Sequence, residues 1–567
     1  MRICALAPQL ASALADMGHE VAAFWPSEPL FDLHGALAAR GFEPELIIQQ
    51  ESLGQRVLLT GMERFSCPKV FWSLDTHLNL FWQRHYFRLF DGVLSPHLSI
   101  LEREGLAGRL ADSKAGRLAD SKAGHMAGRM AMFAPDRPWR PHAERPRAVG
   151  FVGRLTAFRP ARRWLTDFLR ERYGTEPAQD LSFEAMLDHY QDTRLAPNES
   201  LLGEVNFRLM EAAGCGCLVL NQDVGPDQDA LLRPGVEMEV CAHVLELREL
   251  LDHYLSRPEE AERMARAAWE RIQAEHLARH RAQELLSFVS GRTLHAQRGG
   301  GAQTAFWLAL AGLARAGMIA AEAEALERSL ARLQPGAQAL AARLTLACER
   351  RGREAALALA ATALADPVLG PEPEVALAGS MLGVLLEDWT VARGFWLLRQ
   401  RAAGNAGAPL PEHPAALCVA WAGELARAGR VGSGGFPYDP AEHVPACALE
   451  CLYLAARLAP EDLDVTRRLA AMTGGMRGHD YTRMAHLSHL ALHNPRDWRT
   501  GLQLGMAGLK SFRPEEGLTE LRHALSNARE QGKEASFLGA LEACDPRGSA
   551  LAALLRRPLR GVSPFGA

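Results

Sequence analysis

Over roughly the first 290 residues, short apolar runs alternate with amphipathic helical stretches, and this alternation limits the fold more than any other feature. Apolar runs at 2–6, 21–24, 45–48, 69–74 and 91–94 read as strands, and the first intervening helix spans about 8–17. Strands separated by helices require crossover connections, which are right-handed and set the strands parallel. A Pro- and Arg-rich connector at 135–146 ends this first round, and Ala148-Val-Gly-Phe-Val-Gly153 begins another. The second round has a helix at 161–173, a strand ending near Asn198, a helix at 206–213 and a strand at 218–221. Helical sequence over 244–289 closes it.

Two such rounds predict two Rossmann-like α/β domains, 1–146 and 147–292. Ligands in such folds bind at the carboxyl ends of the strands, here expected in the cleft between the domains. One segment looks foreign to the first domain. Gly-Arg-Leu-Ala-Asp-Ser-Lys-Ala occurs at 108–115 and again, letter for letter, at 116–123, so 107–128 reads as a surface insertion without chemistry.

From about Gly300 the sequence turns to Ala, Leu, Arg and Glu at helical spacing, with almost no strand signal. Turn markers recur at Gly317, Gly352, Asp388 and Gly429, spaced by 35, 36 and 41 residues. Prolines follow at 335, 367, 460 and 495, the outer pairs 32 and 35 apart. A period near 34 with glycine between helices and proline after them resembles tetratricopeptide repeats, which predicts an all-helical stacked array over 300–567. Val431–Pro440 interrupts that array.

Composition excludes several function classes. A formal charge of −4 over 567 residues argues against a general nucleic-acid binder, which needs a basic excess. No apolar stretch reaches the 18 or so residues of a membrane helix, and the N-terminus lacks a signal core, so a cytoplasmic location is expected. The ten cysteines include two close pairs, Cys215/Cys217 and Cys447/Cys451, neither with partners at zinc spacing. They read as thiols in a reducing compartment, and no metal site is predicted.

The densest candidate site lies in 198–221, where a polar loop runs into a helix, then glycines, then an apolar strand. Such a helix aims its N-terminal amides at a ligand and suits a diphosphate. Glu211, one turn in, is placed to accept hydrogen bonds from ribose hydroxyls, and Arg208 to counter phosphate charge. The same residues equally describe an ordinary amphipathic helix with a solvated Glu and Arg.

The run Gly203-x-x-Asn206-x-Arg208-x-x-Glu211-Ala-Ala-Gly214-Cys-Gly216, preceded by Phe151-Val-Gly-Arg154, resembles the donor domain of two-domain GT-B glycosyltransferases. It is most similar to the spore-maturation-protein-like (CgeB-type) branch. Arg233-Pro-Gly-Val-Glu237-Met-Glu239 and, more weakly, Val70-Phe-Trp-Ser-Leu-Asp75-Thr-His77 match as well. The resemblance implies transfer of a sugar from a nucleotide-diphosphate donor, used as co-substrate with no further cofactor. On that reading Glu211 meets the donor ribose, Asn206 and Arg208 line the pocket with Glu237, and Arg154, Arg159 and Arg163 hold the diphosphate. Arginines and a helix N-terminus would carry the leaving group's charge, so a hexosyl or related transfer without metal is implied.

The chain also departs from the family. Retaining relatives carry two glutamates eight positions apart, and here the upstream position is Gly203, with Glu204 one residue away. The glycine-rich loop after the first strand is absent, since Ala5-Leu-Ala-Pro8 runs straight on. Asp75 and His77 end an apolar strand, so either is a candidate base on an acceptor hydroxyl, while Asp-Thr-His equally caps a helix. The leading expectation is a glycosyltransferase whose helical repeats select a protein or glycan acceptor. The alternatives are a non-catalytic interaction protein that keeps a nucleotide-sugar fold, and an epimerase-like member of the same architecture.

Overall fold

A computed structural model describes residues 1–7, 9–103, 105–110, 125–290, 299–350, 352–405, 407, 409–545 and 551–556. Contacts group the chain into two compact units. The first combines Met1–Ala131 with Ala282–Val465, and the second combines Met132–Arg281 with Thr466–Ala567. The helices expected as one array over 300–567 are therefore divided between both units.

The first unit is built on a seven-stranded, wholly parallel sheet. Its strands are β1 (Arg2–Leu6), β2 (Glu20–Phe24), β4 (Leu46–Gln50), β6 (Lys69–Trp72), β7 (Gly92–Ser95), β8 (Ala107–Leu110) and β9 (His125–Arg129). They lie in the order β2-β1-β4-β6-β7-β9-β8, while β3 (Leu30–Asp32) and β5 (Leu58–Thr60) pair separately. β1, β4, β6 and β7 are almost wholly buried, as a parallel sheet covered on both faces requires. The winding reverses between β1 and β4. At the carboxyl end of β1, Ala7 holds a left-handed φ of 49°, a strained backbone for a residue with a Cβ.

β8 and β9 correct one expectation. The ends of the segment read as a surface insertion are strands of the main sheet, β9 pairing with β7 and β8 closing the edge. Ladder bonds are made by backbone, so an edge strand needs no apolar run. The duplicated octapeptide itself, from residue 111 to 123, lies outside the described residues.

Phe71, Tyr86, Phe87 and Phe90 form an aromatic nest in this unit, with ring centroids 5.1–5.7 Å apart. The helix Gly300–Arg315 joins the same core through Ala305, Leu308, Ala309 and Leu313. It lies so close to the helix Thr76–Tyr86 that a Cβ on Gly312 would stand 3.3 Å from the Trp82 Cβ.

The second unit holds a four-stranded parallel sheet, β10 (Arg147–Val149), β11 (Thr193–Asn198), β12 (Leu218–Gln222) and β13 (Glu239–Cys241), in sequential order. Its core combines Phe151, Leu165, Leu169, Leu195, Leu218 and Leu220 with Trp498, Leu502, Leu509, Leu521 and Phe537. The C-terminal helices thus belong to the same hydrophobic core as this sheet. All ten cysteines are free thiols, and no helix among the described residues is long and apolar enough to cross a membrane.

Candidate functional site

In the second unit, the carboxyl ends of β10, β11 and β12 carry a dense polar network. After β10 the chain passes through the buried Phe151 to Gly153 and a short loop, then enters the helix Pro160–Tyr173. Arg162, in the first turn of that helix, is only 4% exposed. Its Nε donates to both Glu199 carboxylate oxygens at 3.2 and 2.9 Å, and its Nη1 donates to the Arg154 carbonyl at 3.2 Å. Glu199, which follows β11, is 2% exposed and takes a second guanidinium as well. Arg208 Nη2 donates to its Oε2 and to its carbonyl, both at 3.2 Å.

The buried Arg162 and the partly buried Arg208 therefore share one carboxylate, which leaves net positive charge in a largely enclosed place. Burial, and then the charge of Arg208, pulls the Arg162 guanidinium below its ordinary range. Arg208 lies 5.0 Å over the Phe151 ring, and its Nη1 is buried with no hydrogen-bond partner among the described residues. A buried cation lacking full compensation costs several kcal/mol, on the order of the penalty an arriving anion would relieve.

The helix Phe207–Gly214 begins beside this cluster. Asn206 occupies its N-cap position but makes no capping bond with its side chain. Instead its Nδ2 donates to the Glu199 carbonyl at 2.8 Å, and its Oδ1 accepts from Asn198 Nδ2 at 3.0 Å. Asn198 also donates to Asn221 Oδ1 at 2.6 Å, tying β11 to β12. The helix thus keeps first-turn amides that no capping side chain spends. One turn on, the partly buried Glu211 carboxyl makes no hydrogen bond among the described residues. Burial pushes it up to about 7, against the pull of Arg208.

The remaining expected residues lie in different surroundings. Arg154 is 75% exposed and pairs with Asp180 at 3.5 Å. Arg159 is the N-cap residue of the helix Pro160–Tyr173, and Arg163 is exposed on that helix. Glu237 is buried and closes its own turn, accepting from Arg233 N at 2.7 Å and Arg233 Nε at 2.9 Å, with Arg271 Nε 3.7 Å away. Glu204 accepts from Ser200 Oγ and from the amides of Leu201 and Leu202 at 2.6–3.0 Å, which locks the loop before the helix.

Sequence reasoning missed Arg162, Glu199, Asn198 and Asn221. Arg162 had a readable signal: it stands three and seven residues before Leu165 and Leu169, on the buried face of its helix.

In the first unit, Asp75 is the N-cap residue of the helix Thr76–Tyr86, and its side chain makes no capping bond. The amides of Leu74 and Asp75 donate instead to Glu51 Oε2 at 2.7 and 2.8 Å, and Asn79 Nδ2 donates to Glu51 Oε1 at 2.7 Å. Burial raises the Glu51 carboxyl, and these amide bonds oppose the rise. His77 is buried, with its ring 5.0 Å from that of His97.

One buried trio has ligand-type atoms close together, His243, Glu246 and Asp545, within 4.8 Å of one another. His243 and Glu246 form a reciprocal helix cap there: His243 Nδ1 accepts from Glu246 N at 3.4 Å, and Glu246 Oε2 accepts from Ala242 N at 2.7 Å. His243 Nε2 lies 3.5 Å from Asp545 Oδ1.

Residues 141–287 match the family model described as glycosyl transferase-like. That segment is roughly a quarter of the chain and contains Arg154, Arg159, Arg162, Arg163, Glu199, Asn206, Arg208, Glu211 and Glu237. Asp75 and His77 lie outside it. No curated protein matches the sequence significantly. Among solved structures, the chain is similar to sucrose-phosphate synthase from Thermosynechococcus elongatus at 12% identity, covering 51% of this chain and 98% of that one, TM-score 0.35. A glycosyltransferase from Rickettsia africae matches at 9% identity over 51% and 97% of the two chains, TM-score 0.34. Anabaena HepE, solved in complex with UDP, matches at 13% identity over 52% and 100%, TM-score 0.34.

Proposed function

We propose that the second unit binds a nucleotide-diphosphate sugar and that the protein transfers its sugar to a protein or glycan acceptor. The observation that carries this reading is the Arg162–Glu199–Arg208 cluster, with its surplus positive charge and its unpartnered Arg208 Nη1, beside an uncapped helix N-terminus. An anion of the size of a diphosphate answers all three features.

Glu211 then accepts from the ribose hydroxyls, and Asn206 and Arg208 line the pocket. Arg159 and Arg163, with the exposed Arg154, gather the phosphates, and Glu237 shapes the pocket's floor through its turn. Departure of the nucleoside diphosphate builds negative charge, which fixed arginines and helix amides stabilise without reorganising. Asp75 or His77 serves as base toward the acceptor hydroxyl. The two α/β sheets form a GT-B pair of the CgeB-type branch, with the tetratricopeptide-like helices reading the acceptor, in the cytoplasm.

The test incubates the full chain with UDP-, GDP- and ADP-sugars in EDTA and follows release of the nucleoside diphosphate. Slow donor hydrolysis that survives chelation is expected, and Arg208→Ala should abolish it. Hydrolysis that vanishes with EDTA and returns with a divalent cation would overturn the metal-free mechanism. Binding without any release would favour the non-catalytic alternative.

A further inference from the structure

We propose that Arg477, from the helical segment of the second unit, is a donor-site residue that binds the phosphate end of the nucleotide; this rests on the nucleotide-diphosphate reading above. Arg477 lies in the short connection between the helices Leu463–Gly474 and Asp480–His493. That connection lies directly on the loops that follow β11 and β12.

The approach is close enough to depend on glycine. A Cβ on Gly203, whose φ is +76°, would stand 2.5 Å from the Arg477 Cβ. A Cβ on Gly478, with φ +72°, would stand 2.4 Å from the Leu202 carbonyl carbon. The Arg477 guanidinium extends over Gly225, where a Cβ would meet Nη1 at 2.5 Å. The two loops beneath are joined to each other, Ser200 N donating to Gln222 Oε1 at 3.0 Å and Asn198 to Asn221 at 2.6 Å. Arg477 thus spans the carboxyl ends of two adjacent strands, where ligands bind in parallel α/β sheets. Gly203 is also the position where the sequence departs from the two-glutamate pattern, and the space a glutamate would need there is filled by Arg477.

Its charge is hardly used. Among the described residues its one ion pair is to Asp223 at 3.6 Å, too long for a hydrogen bond, with both side chains substantially exposed at 58% and 43%. Asp223 Oδ1 is already committed to Gly225 N at 3.0 Å. A guanidinium offers five N–H donors in a planar fork that fits phosphate oxygens. Gly203 lies three residues before Asn206, so the loop that Arg477 covers leads directly into the N-terminus of the helix Phe207–Gly214.

The test measures binding of UDP, GDP and ADP, and of the matching monophosphates, by calorimetry on the full chain. Arg477→Ala should weaken the preferred diphosphate roughly tenfold, the loss of a charged hydrogen-bond partner. It should leave the monophosphate within about twofold, and Arg477→Lys should recover part of the loss. Glu211→Ala should weaken both nucleotides alike. Unchanged diphosphate affinity in Arg477→Ala, with Glu211→Ala impaired, overturns the Arg477 assignment alone. Equal loss of both nucleotides in Arg477→Ala overturns it too, since it would mark a role in holding the loops. Failure of the wild-type chain to bind any of the three diphosphates overturns the nucleotide reading, and this proposal with it.

Discussion

Glu211 is held in a site that burial makes costly for a charge, and Arg208 repays only part of the cost. Its carboxyl moves from an ordinary 4.5 up to about 7, so between those values the folded chain holds a proton that the unfolded chain releases. Stability therefore falls as pH rises through that window, and the loss is complete above pH 7. Glu211→Gln removes the titration. Relative to wild type, the variant should be more stable by about 1–3 kcal/mol at pH 8 and nearly equal at pH 4, read from urea denaturation. A difference that does not change with pH would contradict the shifted carboxyl. Glu211, Arg208 and Asn206 were legible because they sit at helical spacing after a polar loop. Glu199 was not: its role depends on Arg162 and Arg208 converging from two helices, and a single sequence carries no sign of that convergence.

At the scale of elements, local chemistry was readable where the chain itself satisfies it. Asp388 caps its helix by accepting from Val391 N at 3.0 Å, and Gly317 and Gly429 take the left-handed φ of 67° and 75° that end theirs. The strands β8 and β9 escaped because the segment between them is polar and repeated, which suggests a loop. Glycines inside helices carry information that periodicity does not. In the helix Pro373–Leu385, a Cβ on Gly383 would stand 2.4 Å from Ala392 N, and one on Gly379 would stand 2.3 Å from the Phe395 ring. The facing helix Trp389–Ala402 therefore needs both positions empty. Gly383→Ala improves intrinsic helix propensity by roughly 1 kcal/mol, yet the backbone contact should dominate. Net destabilisation of about 1–3 kcal/mol is expected from thermal or urea unfolding. A stabilised variant would show that the two helices separate readily.

At the scale of the whole molecule, the sequence suggested a catalytic half followed by a separable helical array, and the contacts divide that array between two units. Helices amphipathic on one side look the same whether they stack on each other or on a sheet, so sequence alone could not tell which surface covers them. Trp498, Leu502, Leu509 and Phe537 share a core with Leu195, Leu218 and Leu220, so a chain cut near Gly300 would lose part of the core beneath the candidate site. A nucleotide-binding half that folds without the C-terminal helices is therefore not expected. The most direct test is the melting temperature of the full chain with UDP, GDP and ADP, repeated on Glu211→Ala. At 100 times its dissociation constant, the preferred diphosphate should add about 2.7 kcal/mol to the folded state and raise the melting temperature. The variant should lose roughly 1–3 kcal/mol of binding and most of that rise. No rise with any diphosphate, or an identical rise in wild type and variant, would contradict the placement of a nucleotide at Arg208 and Glu211.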